Sequence, residues 1–270
     1  MPTYSGNIRI ALDFNFLLMR FIIISTGYNC WKNAGECIKS VENQTYENFK
    51  AIFISDGSQD STGLFLDGQR SKSILDNRLQ FESYQHNFGA AYRRYNAIKK
   101  YATDPEDVIL LLGLDDEITP YCLMKIKEQY DAGAMCTYGN WIDQFGETLP
   151  EGFIDFDEET HQSRNYRKVR YRSTAPNTFK RFLFDQLTED DFKFKGEWIK
   201  ATTESNLMIS CLEMSGKDRI GVIHEPIYLY NKGRKDNARN RFGNHYQDSI
   251  YNDVKNKPKR ALYESSTIKL

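Results

Sequence analysis

Three short polar clusters in this chain follow apolar runs, and each could do chemistry. The most acidic is Asp115-Asp116-Glu117, which follows Val108-Ile109-Leu110-Leu111-Leu112 by way of Gly113 and Leu114. Like charges at the end of a buried strand repel one another and are costly to desolvate. A divalent cation offsets both costs, because Mg²⁺ and Mn²⁺ favour carboxylate oxygens and bridge to substrate phosphates. The competing reading is an acidic turn whose side chains point into water. The second cluster, Asp56-Gly57-Ser58-Gln59-Asp60-Ser61-Thr62, follows an apolar stretch at 50–55. The third, Thr26-Gly27-Tyr28-Asn29, closes the run that begins at Phe21.

The elements that must position these clusters are legible from period and punctuation. Strands are expected at 21–26, 50–55, 79–84, 108–112 and near 134–138, with helices to about 41, from Asp60 or Ser61, over 87–101 and over 121–130. Strands alternating with helices at this spacing predict an α/β fold with a mostly parallel sheet and right-handed crossovers. Ligands of such sheets sit outside the carboxyl ends of the strands, where Tyr28, Asp56 and Asp115 all fall. Past residue 140 the regularity fades. Residues 155–159 are acidic, and 164–181 are basic with Tyr166 and Tyr171 interleaved. That basic span reads as a solvated face or an anion-binding loop before it reads as a binder of single-stranded nucleic acid. Helices are expected at 178–187 and 203–215, the latter stopped by Gly216, and short strands at 220–223 and 227–230 around Pro226. From Asn231 onward the chain is polar and basic, with no usable period.

Composition narrows the function classes. A chain of 270 residues is one large domain, or one domain with an appendage, with enough interior for a substantial core. Lys and Arg number 36 against 37 Asp and Glu, so no overall field points to nucleic acid or an anionic membrane. The five cysteines (Cys30, Cys37, Cys122, Cys136 and Cys211) include no Cys-x-x-Cys pair, which argues against a zinc knuckle or disulfide framework and fits a reducing compartment. No apolar run approaches the roughly 20 residues of a membrane span. Residues 8–24 come nearest, but Asp13 and Arg20 interrupt them and no small-residue cleavage site follows. The expectation is a cytoplasmic protein, free or peripheral to a membrane, whose residues 1–18 are a loose extension or an over-long start before Met19.

The order and spacing of these motifs resemble inverting GT-A glycosyltransferases, in particular glycosyltransferase family 2. The resemblance runs through Thr26-Gly27-Tyr28-Asn29, then Gln44-Thr45-Tyr46-Glu47-Asn48-Phe49, then Asp56-Gly57-Ser58-Gln59-Asp60-Ser61-Thr62. Asn87, Gly89, Ala90 and Asn96 resemble the family's Gly-rich helix start, and Leu114-Asp115-Asp116 its acidic motif. Residues 178–184, 212–216 and 228–231 are similar to the second half of one subgroup, so the resemblance covers about 21–231.

It implies a GT-A, Rossmann-like fold with four functional segments: an N-terminal extension (1–20), a nucleotide-sugar-binding half (21–138), an acceptor-binding half carrying the catalytic base (139–231) and a basic C-terminal tail (232–270). It implies transfer from a nucleoside diphosphate sugar, most readily a UDP-sugar, to a hydroxyl of a glycan, lipid or protein. Mn²⁺ or Mg²⁺ would be held by Asp115 and Asp116, with His224 and His245 as candidate further ligands. Thr26 would lie at the floor of the nucleoside pocket, Tyr28 over the base, Asp56 against the base, Leu114 beside the donor and Arg94 near the diphosphate. Glu204 is the implied general base, one methylene longer than the Asp usual there. As a plain helix-start carboxylate it would also be favourable. Lys232, Arg234 and Lys235 could close over the diphosphate.

Three departures bear on this reading: Ser55 and Gly113 stand where the family usually has acids, and Tyr95 separates Arg94 from Asn96. Gly113 and Ser55, together with Glu204, favour one alternative, a degenerate domain that binds sugar nucleotide or protein without turnover. A nucleotidyltransferase is the enzymatic rival, but 26–31 contains no Lys-bearing phosphate loop.

Overall fold

The computed structural model describes residues 19–148, 153–234 and 238–264. The first half runs β1 (Phe21–Gly27), α1 (Trp31–Glu42), β2 (Phe49–Asp56), α2 (Thr62–Gln69), α3 (Lys72–Leu75), β3 (Leu79–Tyr84) and α4 (Ala90–Tyr101). It continues with β4 (Val108–Gly113), β5 (Glu117–Ile118), α5 (Cys122–Asp131) and β6 (Cys136–Asp143). Then come α6 (Glu158–Ser163), β7 (Asn177–Lys180), α7 (Arg181–Phe184), the small hairpin of β8 (Lys193–Phe194) and β9 (Glu197–Trp198), α8 (Thr203–Ser215), β10 (Ile220–Tyr230) and α9 (Ala238–Asn256).

Eight strands form one sheet in the order β3-β2-β1-β4-β7-β6-β10-β5. The β3-β2-β1-β4 block is parallel, as is β6 with β10, while β7 runs antiparallel to β4 and β6. Strict alternation splits the central strands between two cores. Ile22, Ile24, Ile52, Ile54, Ile109 and Leu111 face α4 and α8. Phe21, Ile23, Phe53, Leu110 and Leu112 face α1 and α5. Both faces being covered is why these strands read as unbroken apolar runs. The α/β class and the mostly parallel sheet thus stand as expected.

Three local expectations differ. Residues 177–180 pair as a strand, and only 181–184 turn into helix. Thr178 and Phe179 fill the gap between β4 and β6, where the Thr178 hydroxyl meets both Tyr130 and Thr137, so sheet contacts override the local pattern. The two short strands around Pro226 are one long strand whose register against β6 shifts on either side of that proline, which has no N–H to give. Residues 238–256 are helical across a kink at Gly243 (φ 75°), and Ile250 and Val254 bury the helix against α8 and the 166–168 turn. The boundary expected at residue 138 falls inside β6, so both halves share one sheet.

Candidate active site

The carboxyl ends of β1, β2 and β4 open into a cleft of about 210 Å³. Thr26, Tyr28, Asp56, Gly89, Arg94 and Asp115 line it, together with Lys200, Tyr230, Arg234, Arg241 and Phe242 from the second half. The structure therefore brings together five of the sequence-derived donor residues. Leu114 is the exception: its side chain is buried in the core, and it borders the site through its backbone, whose N–H donates to Thr26 O at 3.1 Å. Gly27 is required there, because a Cβ would lie 2.5 Å from Cys30 Sγ and 2.6 Å from Leu114 Cβ. Thr26 contributes a buried hydroxyl with no hydrogen-bond partner among the described residues.

Asp56 is almost fully buried at the end of β2. It accepts the N–H groups of Phe88 (3.1 Å) and Gly89 (2.7 Å) and the Arg93 Nε at 2.6 Å. These contacts fix Gly89 at φ 91° and start α4 with its N-terminal amides at the cleft. A helix start of this kind favours anions. Arg93, which the resemblance puts with Arg94 on the helix near the diphosphate, turns to Asp56 instead; it also stacks its guanidinium 3.7 Å from the Tyr84 ring centroid and donates to His86 O.

At the end of β4 the two aspartates diverge. Asp115 pairs with Arg234 Nη1 at 2.6 Å, and the same guanidinium donates to Tyr28 O (2.6 Å) and Asn29 O (3.2 Å). Asp116, expected beside Asp115 on a cation, turns the other way. Its Oδ2 accepts the Tyr228 hydroxyl at 2.6 Å and its Oδ1 the Asn231 N–H at 2.8 Å. Burial, with Asp115 next to it, pushes its pKa up to about 8. Gly113 allows this arrangement, since a Cβ there would stand 2.5 Å from Asp116 Oδ2.

Among the described residues no three His, Cys, Asp or Glu side chains cluster to cage a metal. A Mg²⁺ or Mn²⁺ riding on a diphosphate needs only one or two protein carboxylates, the remaining ligands being phosphate oxygens and water. Asp115 meets that requirement once Arg234 yields its place. His224 is exposed and edge-on to Phe153, and His245 lies on α9 beside Ser249, so neither lines the cleft. Lys232 reaches Asp143 and Gln144 instead, and Lys235 lies outside the described residues.

Arg94 joins this cleft to Glu204. The guanidinium is buried, lines the cleft, and gives Nη1 to Thr203 Oγ1 (2.8 Å) and to Glu204 Oε1. Glu204 stands in the first turn of α8 with its side chain 30% exposed. Burial alone would raise its pKa, but Arg94 and the helix-start hydrogen bonds outweigh it and hold the carboxyl below its ordinary value. The residue expected near the diphosphate therefore grips the expected base. Arg241 is the other surprise: its guanidinium lies 4.0 Å from the Tyr28 ring centroid and covers one face of that ring. Nothing in the unpatterned sequence after residue 231 signals that contact; only the fold of α9 creates it.

A sequence model of Glycosyl transferase family 2 matches residues 22–188. The chain is 26% identical over 112 residues to the teichoic acid poly(glycerol phosphate) polymerase of Staphylococcus epidermidis, covering 42% of this chain and 15% of that protein. It is 28% identical over 112 residues to the uncharacterized glycosyltransferase YkcC of Bacillus subtilis, covering 42% and 33%. The chain thus spans a third or less of the length of these relatives. Among solved structures, S. aureus TarS 1–349 in complex with UDP-GlcNAc superposes with a TM-score of 0.62 at 20% identity, over 82% of this chain and 60% of that one. The mannosyltransferase PcManGT from Pyrobaculum calidifontis, in complex with GDP-Man and Mn²⁺, gives 0.57 at 14% identity, over 89% and 66%. These likenesses establish the GT-A type fold.

Proposed function

Because the chain belongs to glycosyl transferase family 2, we propose that this glycosyltransferase moves a sugar, with inversion, from a nucleoside diphosphate sugar to a hydroxyl of a glycan, lipid or protein. The observation that supports the reading is the Arg94 bridge, which ties the Glu204 carboxylate, itself outside the lining, to an arginine that lines a cleft built from three strand ends. The nucleoside takes the face of Tyr28 that Arg241 covers, beside Asp56 and over the Thr26 hydroxyl. A UDP-sugar is the favoured donor, in keeping with the UDP-GlcNAc bound by the TarS structure.

The diphosphate lies between the start of α4 and Asp115, where Arg234 is within reach of its oxygens. Asp115 would hold a divalent cation, which would supply charge neutralisation to the leaving diphosphate. Glu204 takes the proton of the acceptor hydroxyl as its oxygen attacks the anomeric carbon from the face opposite the diphosphate. The new C–O bond forms as the bond to the diphosphate oxygen breaks, which inverts the anomeric centre. Arg94 keeps Glu204 ionised and aimed, and is thus a positioning residue as well as a cleft residue. Five buried free cysteines suit work in the cytoplasm. Among the described residues, no helix is long and apolar enough to cross a membrane.

Hydrolysis of UDP-GlcNAc and GDP-mannose, with water as acceptor and Mn²⁺ present, tests the reading. Glu204→Gln is expected to lower turnover by about 10²–10⁴-fold while UDP still binds. Asp115→Asn is expected to abolish any stimulation by Mn²⁺. A donor that binds and is never cleaved, by either the parent chain or its variants, would support the degenerate domain instead.

A further inference from the structure

Four basic residues line the donor cleft: Arg94, Lys200, Arg234 and Arg241. Three of them are engaged. Arg94 holds Glu204 and Thr203, Arg234 holds Asp115 with the carbonyls of Tyr28 and Asn29, and Arg241 covers the Tyr28 ring. Asp56, the other acid of the lining, is matched by Arg93 from outside it. Lys200 is different: its one hydrogen bond among the described residues is made by the backbone, and its ammonium has no acidic partner there.

The backbone that carries this lysine is fixed on both sides. Ile199 is buried and donates its N–H to Phe192 O at 3.0 Å, and the Lys200 N–H donates to the Tyr246 hydroxyl at 3.3 Å. The side chain runs over the start of α4, where Lys200 Cγ lies 3.5 Å from the place a Cβ on Gly89 would take. The amides at that helix start favour an anion. A separate feature shows that the cleft is built for a ligand: the Thr26 hydroxyl lines it, almost fully buried, with no hydrogen-bond partner among the described residues. An unpaired ammonium over helix-start amides, inside a cleft of about 210 Å³, is a point charge suited to a phosphate. Lys200 also precedes Glu204 by four residues, with Thr202 at φ 52° turning the chain between them. One short connector thus carries both the cation and the proposed base.

We propose that Lys200 binds the diphosphate of the donor and stabilises the charge left on it as the sugar departs. The breaking C–O bond leaves its electron pair on a diphosphate oxygen, and the ammonium donates hydrogen bonds to the diphosphate while keeping its proton. This assignment deepens the glycosyl-transfer reading and rests on it.

Binding to the full chain in the presence of Mn²⁺ tests the assignment without requiring turnover. Calorimetry would follow UDP and GDP, and ligand-observed NMR the matching nucleosides. Lys200→Met keeps the stem over Gly89 and removes the charge. It should weaken binding of the nucleoside diphosphate about tenfold, leave the nucleoside unchanged and not move the unfolding temperature. Lys200→Arg should recover at least part of the loss. Unchanged diphosphate affinity in Lys200→Met would mean that the amine stays in solvent, and would overturn the assignment while leaving the transfer reading in place. An equal loss for the nucleoside, or no recovery in Lys200→Arg, would overturn it as well, since the residue would then serve the nucleoside pocket or the fold. A parent chain that binds neither diphosphate would bring down the transfer reading itself, and this assignment with it.

Discussion

The ends of β2 and β4 each carry a carboxylate paired with an arginine at 2.6 Å, and the two pairs are built for opposite purposes. The partner of Asp56 is Arg93, which lies in the next helix of the same layer; two backbone amides complete the shell, and both side chains are at least 93% buried. The partner of Asp115 is Arg234, which arrives from the far end of the fold past β10 and leaves the carboxylate 18% exposed. One pair is part of the frame. The other is a closure that a ligand can replace. Identical distances therefore say little about role; what differs is the origin of the partner and how many other groups would be stranded if it left.

The sharpest way to break this contrast is to remove each carboxylate in turn. Asp56→Ala strands the buried Arg93 and two amides, and should cost about 3–5 kcal/mol of stability in denaturant unfolding. Asp115→Ala leaves Arg234 its bonds to Tyr28 O and Asn29 O and strands no amide, so it should cost less, about 1–2 kcal/mol. Equal losses would erase the distinction. A second contrast concerns the two arginines that follow one another on α4. Arg94→Ala should leave burial as the dominant influence on Glu204, so the acid limb of donor hydrolysis, which lies below the ordinary glutamate pKa in the parent chain, should move to higher pH. An unmoved limb would show that another group limits the rate.

The smallest effect sharpens the idea of a replaceable closure. Uridine monophosphate must displace Arg241 from Tyr28, a contact worth about 0.5–1 kcal/mol at an exposed ring. Arg241→Ala should therefore tighten its binding about twofold to fivefold. Weaker binding would mean that Arg241 grips the base from above.

Much of this was legible in the sequence where local pattern and burial agree. Residues 21–26 and 108–112 are apolar throughout because both faces of those strands are covered, and the polar residues that follow them could only fall at the sheet's carboxyl edge. Glu204 is singled out by the family resemblance, through its spacing to Leu207 and Glu213; its place at a helix start reads by itself only as a carboxylate favourable there. The misses share one cause. Whether 177–180 is strand or helix depends on a slot between β4 and β6 that no local window contains. The helix at 238–256 does carry a spacing of four in Tyr246, Ile250 and Val254, but Gly243 and the surrounding polar residues hide it. The direction of Asp116 is set by Tyr228, 112 residues later, and the cover over Tyr28 by Arg241, still further on.

Glu213 sets a timetable for the nascent chain. This fully buried carboxylate on α8 is neutralised by Arg167, made earlier, and capped by the N–H of Arg260, while Arg167 itself needs the carbonyl of Val254. Until residues 254–260 have left the ribosome, a charge in the interior of the second half lacks part of its shell, an arrangement that disfavours early closure. The donor half shares the dependence at one point, since the shell of the buried Asp116 is completed by Tyr228 and Asn231.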